Sequence, residues 1–298
     1  MKKMKIGSLL LAAVLAGAVL AGCGTKENQT ETTAASESTV GETPAVETTA
    51  QTELVEIVVG ATIEPHATIL NSDAVKNALA EQGFTIKVVE YTDYILPNVA
   101  TEDGSLDANF FQHVPYLNDY NEKNGTTLKA VANVHFEPLG IYPGKTATLD
   151  ALADGAQVAV PNDVTNEARA LLLLEKAGLI KLGANAGLET TVKDITENPK
   201  NLEIVEMEAA QTAKVLQDVD IAIINGNYAL SNGLSASENA LLVEDVNSEA
   251  ANTFANIIVV KEGNEATDKT KALIEAITSE ETKAFIEEKW QGAVVPVF

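Results

Sequence analysis

Residues 54–89 read LVEIVVGATIEPHATILNSDAVKNALAEQGFTIKVV, and the periodicities in this stretch decide the fold. Val55-Glu56-Ile57-Val58-Val59-Gly60 predicts a strand with a glycine break at its end. From Asn71 to Gln82, Ala74, Val75, Ala78 and Leu79 recur at helical spacing, and Gly83 closes the helix. Phe84-Thr85-Ile86-Lys87-Val88-Val89 predicts a second strand. Strand, helix and strand within about 35 residues make a βαβ unit, which implies a parallel sheet with right-handed crossovers.

The pattern returns further along the chain. Ala156-Gln157-Val158-Ala159-Val160-Pro161 predicts a strand, and Thr165 to Lys176 a helix with Leu171 to Leu174 at its centre and Gly178 as its stop. Leu202 to Val205 and Asn256 to Lys261 predict two more strands. Asp220 to Asn225 predicts a buried strand ending in polar residues, and Thr267 to Lys289 two amphipathic helical pieces. The fold class is α/β. Leu106-Asp107-Ala108-Asn109 and Val219-Asp220-Ile221-Ala222 echo each other, each a short strand running into polar residues. Ligands of open α/β sheets sit outside such carboxyl ends. Two of them facing each other would make a two-lobed binder.

Toward the N-terminus, Lys2, Lys3 and Lys5 precede an apolar run from Ile6 to Leu20. The run is shorter than the roughly 20 residues that a spanning helix needs. With small residues after it, residues 1–22 read as a secretory signal peptide. Leu20-Ala21-Gly22-Cys23 resembles a lipobox, which implies lipidation of Cys23, the one cysteine of the chain. Residues 24–53 are rich in Thr, Glu and Ser and lack Leu, Ile and aromatics. Such a stretch buries too little surface to offset its ordering entropy, so residues 23–53 are expected to form a lipidated, disordered tether.

Residues 1–22 carry three lysines; without them the chain holds 17 basic and 43 acidic residues, a net charge of −26. This excludes nucleic acid as a partner, because nucleic-acid binding requires a positive footprint. A single cysteine allows no internal disulfide, so stability must come from the core. Nothing points to catalysis: there is no Gly-x-Ser-x-Gly elbow and no phosphate-cradling Gly-x-x-x-x-Gly-Lys.

The chain has nineteen lysines and a single arginine, Arg169. Where charge alone suffices, lysine would serve; planar bidentate recognition of a carboxylate requires arginine. Asn166 lies three residues earlier, on the same face of the predicted helix, and Asp163 or Thr165 would cap it. A surface salt bridge is the plainer alternative for Arg169. Asn109-Phe110-Phe111-Gln112-His113-Val114-Pro115-Tyr116 gathers three rings and a histidine in an aromatic-poor chain. Such walls suit an apolar or thioether side chain, and strand alternation allows Phe110 to face the opposite side as core. Asn225-Gly226-Asn227-Tyr228 offers amides for a head group, or simply a turn. Tyr91-Thr92-Asp93-Tyr94 follows the second strand. The three histidines, His66, His113 and His135, leave open a zinc-binding receptor lipoprotein, if they converge with an acid such as Glu137.

Taken together, Asp107 to Leu117, Pro138-Leu139-Gly140-Ile141-Tyr142, Val158 to Asp163 with Thr165-Asn166 and Arg169-Ala170-Leu171, Glu197 to Leu202, and Ile224 to Ala229 resemble the methionine-binding lipoproteins. These are the solute-binding components of methionine ABC transporters. The similarity runs from about Leu54 to Phe298. It implies a two-lobed, type II-like periplasmic-binding-protein fold with the ligand cleft between the lobes. Residues 54–137 with 252–298 would form one lobe and residues 138–251 the other. The resemblance implies that Arg169 grips the ligand carboxylate beside Asn166 and that Asn225 bonds the head group. Tyr94, Phe111, His113 and Tyr116 would line the side-chain pocket, with Tyr91 a weaker candidate. It further implies a receptor rather than an enzyme, with no cofactor. Its partners would be L-methionine or a close analogue, ABC permease subunits and, through lipidated Cys23, the extracytoplasmic face of the cell membrane.

Overall fold

The computed structural model describes residues 53–298. The predicted signal peptide, Cys23 and the tether up to residue 52 lie outside the described residues. The chain opens with β1 (Val55–Thr62), β2 (Phe84–Tyr91), β3 (Ala108–His113) and β4 (Lys129–Phe136). It crosses over through Glu137, Pro138 and Leu139 to β5 (Gly140–Pro143) and β6 (Gln157–Pro161). A small antiparallel pair, β7 (Lys181–Leu182) and β8 (Ile195–Glu197), precedes β9 (Glu203–Met207), β10 (Ile221–Ile224) and β11 (Leu242–Val243). The chain then returns to add β12 (Asn256–Val260) and β13 (Val295–Pro296) to the first sheet.

The first sheet has the order β13-β4-β12-β3-β1-β2 and the second the order β11-β5-β10-β6-β9. β1 pairs in parallel with β2, from Val55 opposite Phe84 to Thr62 opposite Tyr91, and in parallel with β3. The βαβ unit read from residues 54–89 is therefore present. The sheet is mixed rather than parallel throughout, because β12 runs antiparallel to β3 and β4. The reason is topological. Asn256, the first residue of β12, lies opposite His113, the last residue of β3. A strand that re-enters where its neighbour ends must run the other way.

The helices follow their local signals. Asp73–Glu81 is capped by the Ser72 hydroxyl, which accepts from the Val75 N–H at 3.3 Å. Val75 and Leu79 from this helix join Ile57, Val59, Phe110, Leu273, Ile277 and Ile286 in the first core. Each fully buried residue of this size contributes roughly 1.5–3 kcal/mol. In the second lobe Leu171 and Leu174 pack with Val158, Ile221 and Ile223 in one core, while Tyr142, Ala159 and Ile224 form another. Gly60 does not break β1; the strand continues through it to Thr62. A Cβ there would lie 2.4 Å from a Leu106 methyl and 3.0 Å from the Tyr91 ring. Glycine serves a close approach inside the strand rather than its end.

The two crossovers run side by side. The Glu244 N–H donates to the Leu139 carbonyl at 3.0 Å, and the Leu139 N–H donates to the Glu244 carboxylate at 2.9 Å. The ends of β3 and β4 in one lobe and of β6 and β10 in the other meet beside this junction.

Candidate functional site

The site begins with the helix Val164–Lys176. Asp163 caps it: its carboxylate accepts from the Asn166 N–H at 3.1 Å and from the Asn166 side chain at 2.8 Å. That fixes Asn166 on the first turn with its Oδ1 free to point outward. Oδ1 accepts from Arg169 at 3.2 Å, from Asn225 Nδ2 at 2.9 Å and from the imidazole of His113 at 3.3 Å. One oxygen thus gathers three donors from three elements and both lobes.

Arg169 is 4% exposed. Its Nε and NH2 bond the Glu244 carboxylate, the Nε contact at 3.0 Å, and NH2 also reaches the Glu137 carbonyl at 3.4 Å. The guanidinium is therefore tied to both crossovers. The Phe254 ring covers it at 4.3 Å. With Nε and NH2 engaged behind, NH1 is the edge that lies beside Asn166.

Opposite stands the aromatic wall. The fully buried β3 sends Phe111 to the cleft and Phe110 into the first core, where it meets His66 and His135 edge-on. The alternation expected for Phe110 is borne out. His113 ends the strand and caps the helix Val114–Asn124, its Nδ1 accepting from the Tyr116 N–H at 3.2 Å. Nε2 therefore carries the proton and donates to Asn166. Burial, reinforced by the Arg169 charge, lowers the His113 pKa to about 3, so the ring is neutral. The Tyr94 ring lies 5.7 Å from Phe111, 5.7 Å from Tyr116 and 4.9 Å from Tyr228. Its hydroxyl donates across the cleft to Asn227 Oδ1 at 2.6 Å, and Tyr228 donates to the Thr92 carbonyl at 3.3 Å.

Tyr94, Phe111, His113, Tyr116, Asn166, Arg169 and Asn225 all line one narrow cavity, together with Glu137, Asn227 and Asn256. Tyr91 does not line it; its ring packs against Gly60. The Asn225-Gly226-Asn227-Tyr228 segment is the cap and first turn of a short helix, Gly226–Ser231. Two atoms here have no hydrogen-bond partner, the acceptor Asn225 Oδ1 and the donor Asn227 Nδ2. Buried amide atoms are seldom left so.

Glu137 was read only as a companion for zinc, and the histidines do not gather as that reading required. His113 belongs to the cleft wall. His66 and His135 lie apart from it, with ring centroids 4.9 Å from each other. They meet Glu137 instead, the three ligand atoms lying within 4.8 Å of one another. Those atoms are already hydrogen-bonded. His135 Nε2 donates to Glu137 Oε1 at 2.7 Å. His66 Nε2 donates to Asn256 Oδ1 at 2.9 Å, while its Nδ1 accepts from Thr62 at 2.7 Å. Burial lowers His66 to about 4 and His135 to about 3, and raises Glu137 to about 7. The reading of His66, His113 and His135 as one zinc site is set aside.

The signal for Glu137 was present in His135-Phe136-Glu137-Pro138, but no local pattern tells a buried acid from an exposed one. Gln112 is held from behind by a buried amide network with Asn98 and Asn109.

The NlpA lipoprotein family matches residues 57–298. Methionine-binding lipoprotein MetQ of Bacillus subtilis (strain 168) is 40% identical over 302 residues, covering 100% of this chain and 99% of that protein. A lipoprotein from Ruminococcus gnavus ATCC 29149 superposes with a TM-score of 0.80 at 50% identity, over 82% of this chain and 99% of that one. A nutrient binding protein from Burkholderia cenocepacia bound to methionine gives a TM-score of 0.76 at 41% identity, over 81% of this chain and 100% of that one. By sequence and by fold, this chain belongs to the NlpA lipoprotein family.

Proposed function

We propose that this protein is an extracytoplasmic receptor that captures L-methionine, or a close analogue, and delivers it to an ABC transporter permease. One observation carries the reading: Arg169 and Asn166 face a ring-lined cavity in which Asn225 Oδ1 and Asn227 Nδ2 lack partners. A zwitterionic amino acid supplies the missing complements. Its carboxylate bonds the NH1 edge of Arg169 and Asn227 Nδ2. Its thioether chain lies among Tyr94, Phe111, His113 and Tyr116, where sulfur packs well at ring edges. Residues 54–137 with 252–298 form one lobe and residues 138–251 the other. Capture follows lobe closure, since contacts such as Tyr94 to Asn227 exist only when the lobes meet. No bond is made or broken, in keeping with the family.

The membrane reading rests on the lipobox-like Leu20-Ala21-Gly22-Cys23 and on relatives named as lipoproteins. Lipidated Cys23 holds the protein at the outer face of the cell membrane, with residues 24–53 as its tether. Among the described residues no helix is long and apolar enough to cross a membrane.

Thermal-shift and calorimetric titration test the function. L-methionine at about a hundred times its Kd should stabilise the fold by about 2.7 kcal/mol. Failure of methionine together with a chelator-reversible zinc response overturns the reading.

A further inference from the structure

We infer that Asn98 is a positioning residue for the side-chain end of the cleft: its buried amide locks a β-bulge at Phe111 and so fixes the ring that the bound side chain meets. The inference rests on the amino-acid reading above and extends it to a residue that does not line the cavity.

The helix Leu96–Glu102 is inside out. Leu96 and Val99 are 53% and 44% exposed, whereas Asn98 and Thr101 are fully buried. Packing alone favours the opposite arrangement, because burying an amide costs free energy unless it is hydrogen-bonded. Here the amide is fully engaged. Asn98 Oδ1 accepts from Gln112 Nε2 at 2.6 Å and from Asn109 Nδ2 at 3.0 Å, and Asn98 Nδ2 donates to Gln112 Oε1 at 3.1 Å. The Thr101 hydroxyl accepts from Asn109 at 2.7 Å and donates to the Pro97 carbonyl at 2.7 Å. The polar face of this helix is turned inward to hold β3.

The two residues that Asn98 joins flank an irregularity in that strand. On β12, Val259 stands opposite Asn109, Ile258 opposite Phe110 and Ile257 opposite Gln112, so Phe111 is an extra residue with none opposite it. The pairing of β3 with β1 also ends at Phe110. Side chains alternate with period two, so one extra residue moves every later one to the other face. The cores record the shift. Phe110 and Ile258 lie in the first core, while Phe111, Ile257 and Val259 pack with Tyr116 in another. In a regular strand Gln112 would share the face of Phe110 and enter the apolar first core. Instead it turns back to bond Asn109, three residues earlier, at 2.9 Å, and the Asn98 amide spans both ends of the bulge. Phe111 and Gln112 thereby both face the ligand cavity. Loss of the Asn98 amide leaves Asn109 and Gln112 buried with bonds missing, and β3 relaxes toward regular pairing, which shifts the Phe111 ring.

The test is a double-mutant cycle read by calorimetry with L-methionine. Wild type, Asn98→Ala, Phe111→Leu and the double variant are titrated in turn. Asn98→Ala should weaken binding by about 3- to 30-fold in the wild-type background and by less than about twofold where Phe111 is already leucine. A merely structural role lowers affinity by the same factor in both backgrounds; that result, or no loss at all, overturns the assignment. Wild type that does not bind methionine overturns the amino-acid reading, and the assignment falls with it. If Asn98→Ala does not fold, a crystal structure of wild type with L-methionine decides. The Phe111 ring within about 4 Å of the methionine side chain, with the bulge in place, supports the role. A regular strand over residues 110–112, or a ring out of contact with the ligand, refutes it.

Discussion

The two walls of the cleft are built differently. The first-lobe wall consists of rings and one imidazole, and its polar atoms find partners within the protein, on their own wall or, for Tyr94 and His113, across the cleft. Asn98, Asn109 and Gln112 close an amide network, and the Tyr116 hydroxyl donates to the Tyr94 carbonyl at 3.0 Å. The second-lobe wall consists of amides and a guanidinium, and it carries Asn225 Oδ1 and Asn227 Nδ2, which have no partner in the protein. Shape selection and head-group recognition are thereby separated. One wall is complete without a ligand, whereas the other is completed by one. All three imidazoles, His66, His113 and His135, stand on the first-lobe side.

Acid should therefore strike the first lobe, and this is the largest effect expected. The buried imidazoles have folded pKa values of about 3 to 4, against about 6.5 in an unfolded chain. Their contribution is present above the unfolded value and is lost as pH falls through the folded ones. Glu137, raised to about 7, works the other way: its contribution is present below the unfolded carboxyl range and fades as pH rises through 7. Burial raises Asp163 and Glu167 as well, in the same sense as Glu137; the large downward shifts of the three imidazoles set the sign. Circular-dichroism melts should show the melting temperature falling from about pH 6.5 to about pH 4; a flat profile would break the contrast between the walls.

Arg169→Ala comes next. It removes the cation from the second-lobe wall, the one that a ligand completes, and leaves the Glu244 carboxylate without its cation, at 11% exposure. Methionine affinity should fall by about 3–5 kcal/mol, and thermal stability should drop with it. Unchanged affinity in calorimetry would remove Arg169 from the site. Asn166→Ala deletes the oxygen that joins Arg169, Asn225 and His113, and should weaken binding by about 1.5–3 kcal/mol, the range for a bond to a charged group. The smallest effect belongs to the aromatic wall. Tyr94→Phe keeps the ring but loses the bond to Asn227, and should cost about 0.5–1.5 kcal/mol of affinity. A loss as large as that of Arg169→Ala would mean that closure, not the head group, dominates binding.

Much of the fold was legible because its signals are local. The helix read from Thr165 to Lys176 spans Val164–Lys176, and its Asp163 cap is three residues from the N–H it accepts. The strand read from Phe84 to Val89 runs on to Tyr91. The strand Lys129–Phe136 was missed because it is half exposed for most of its length and carries no clean alternation. Asn225-Gly226 offered either head-group amides or a turn, since that pair favours turns; here it opens a helix against Glu137. Of the candidate site, the rings, His113 and Arg169 stood out through rarity of type. Glu244 did not, being one acid among 43 acidic residues.

The amino-acid order by itself determined the α/β periodicity, the ring–imidazole cluster and the solitary guanidinium, since each depends on residues a few positions apart. Only the tertiary structure decided that Glu244, 75 residues away, holds Arg169, and that Glu137 rather than His113 joins His66 and His135. It also decided that β12 runs against its neighbours. These outcomes depend on where two crossovers bring distant surfaces together, and chain closure and burial set that geometry, not local spacing.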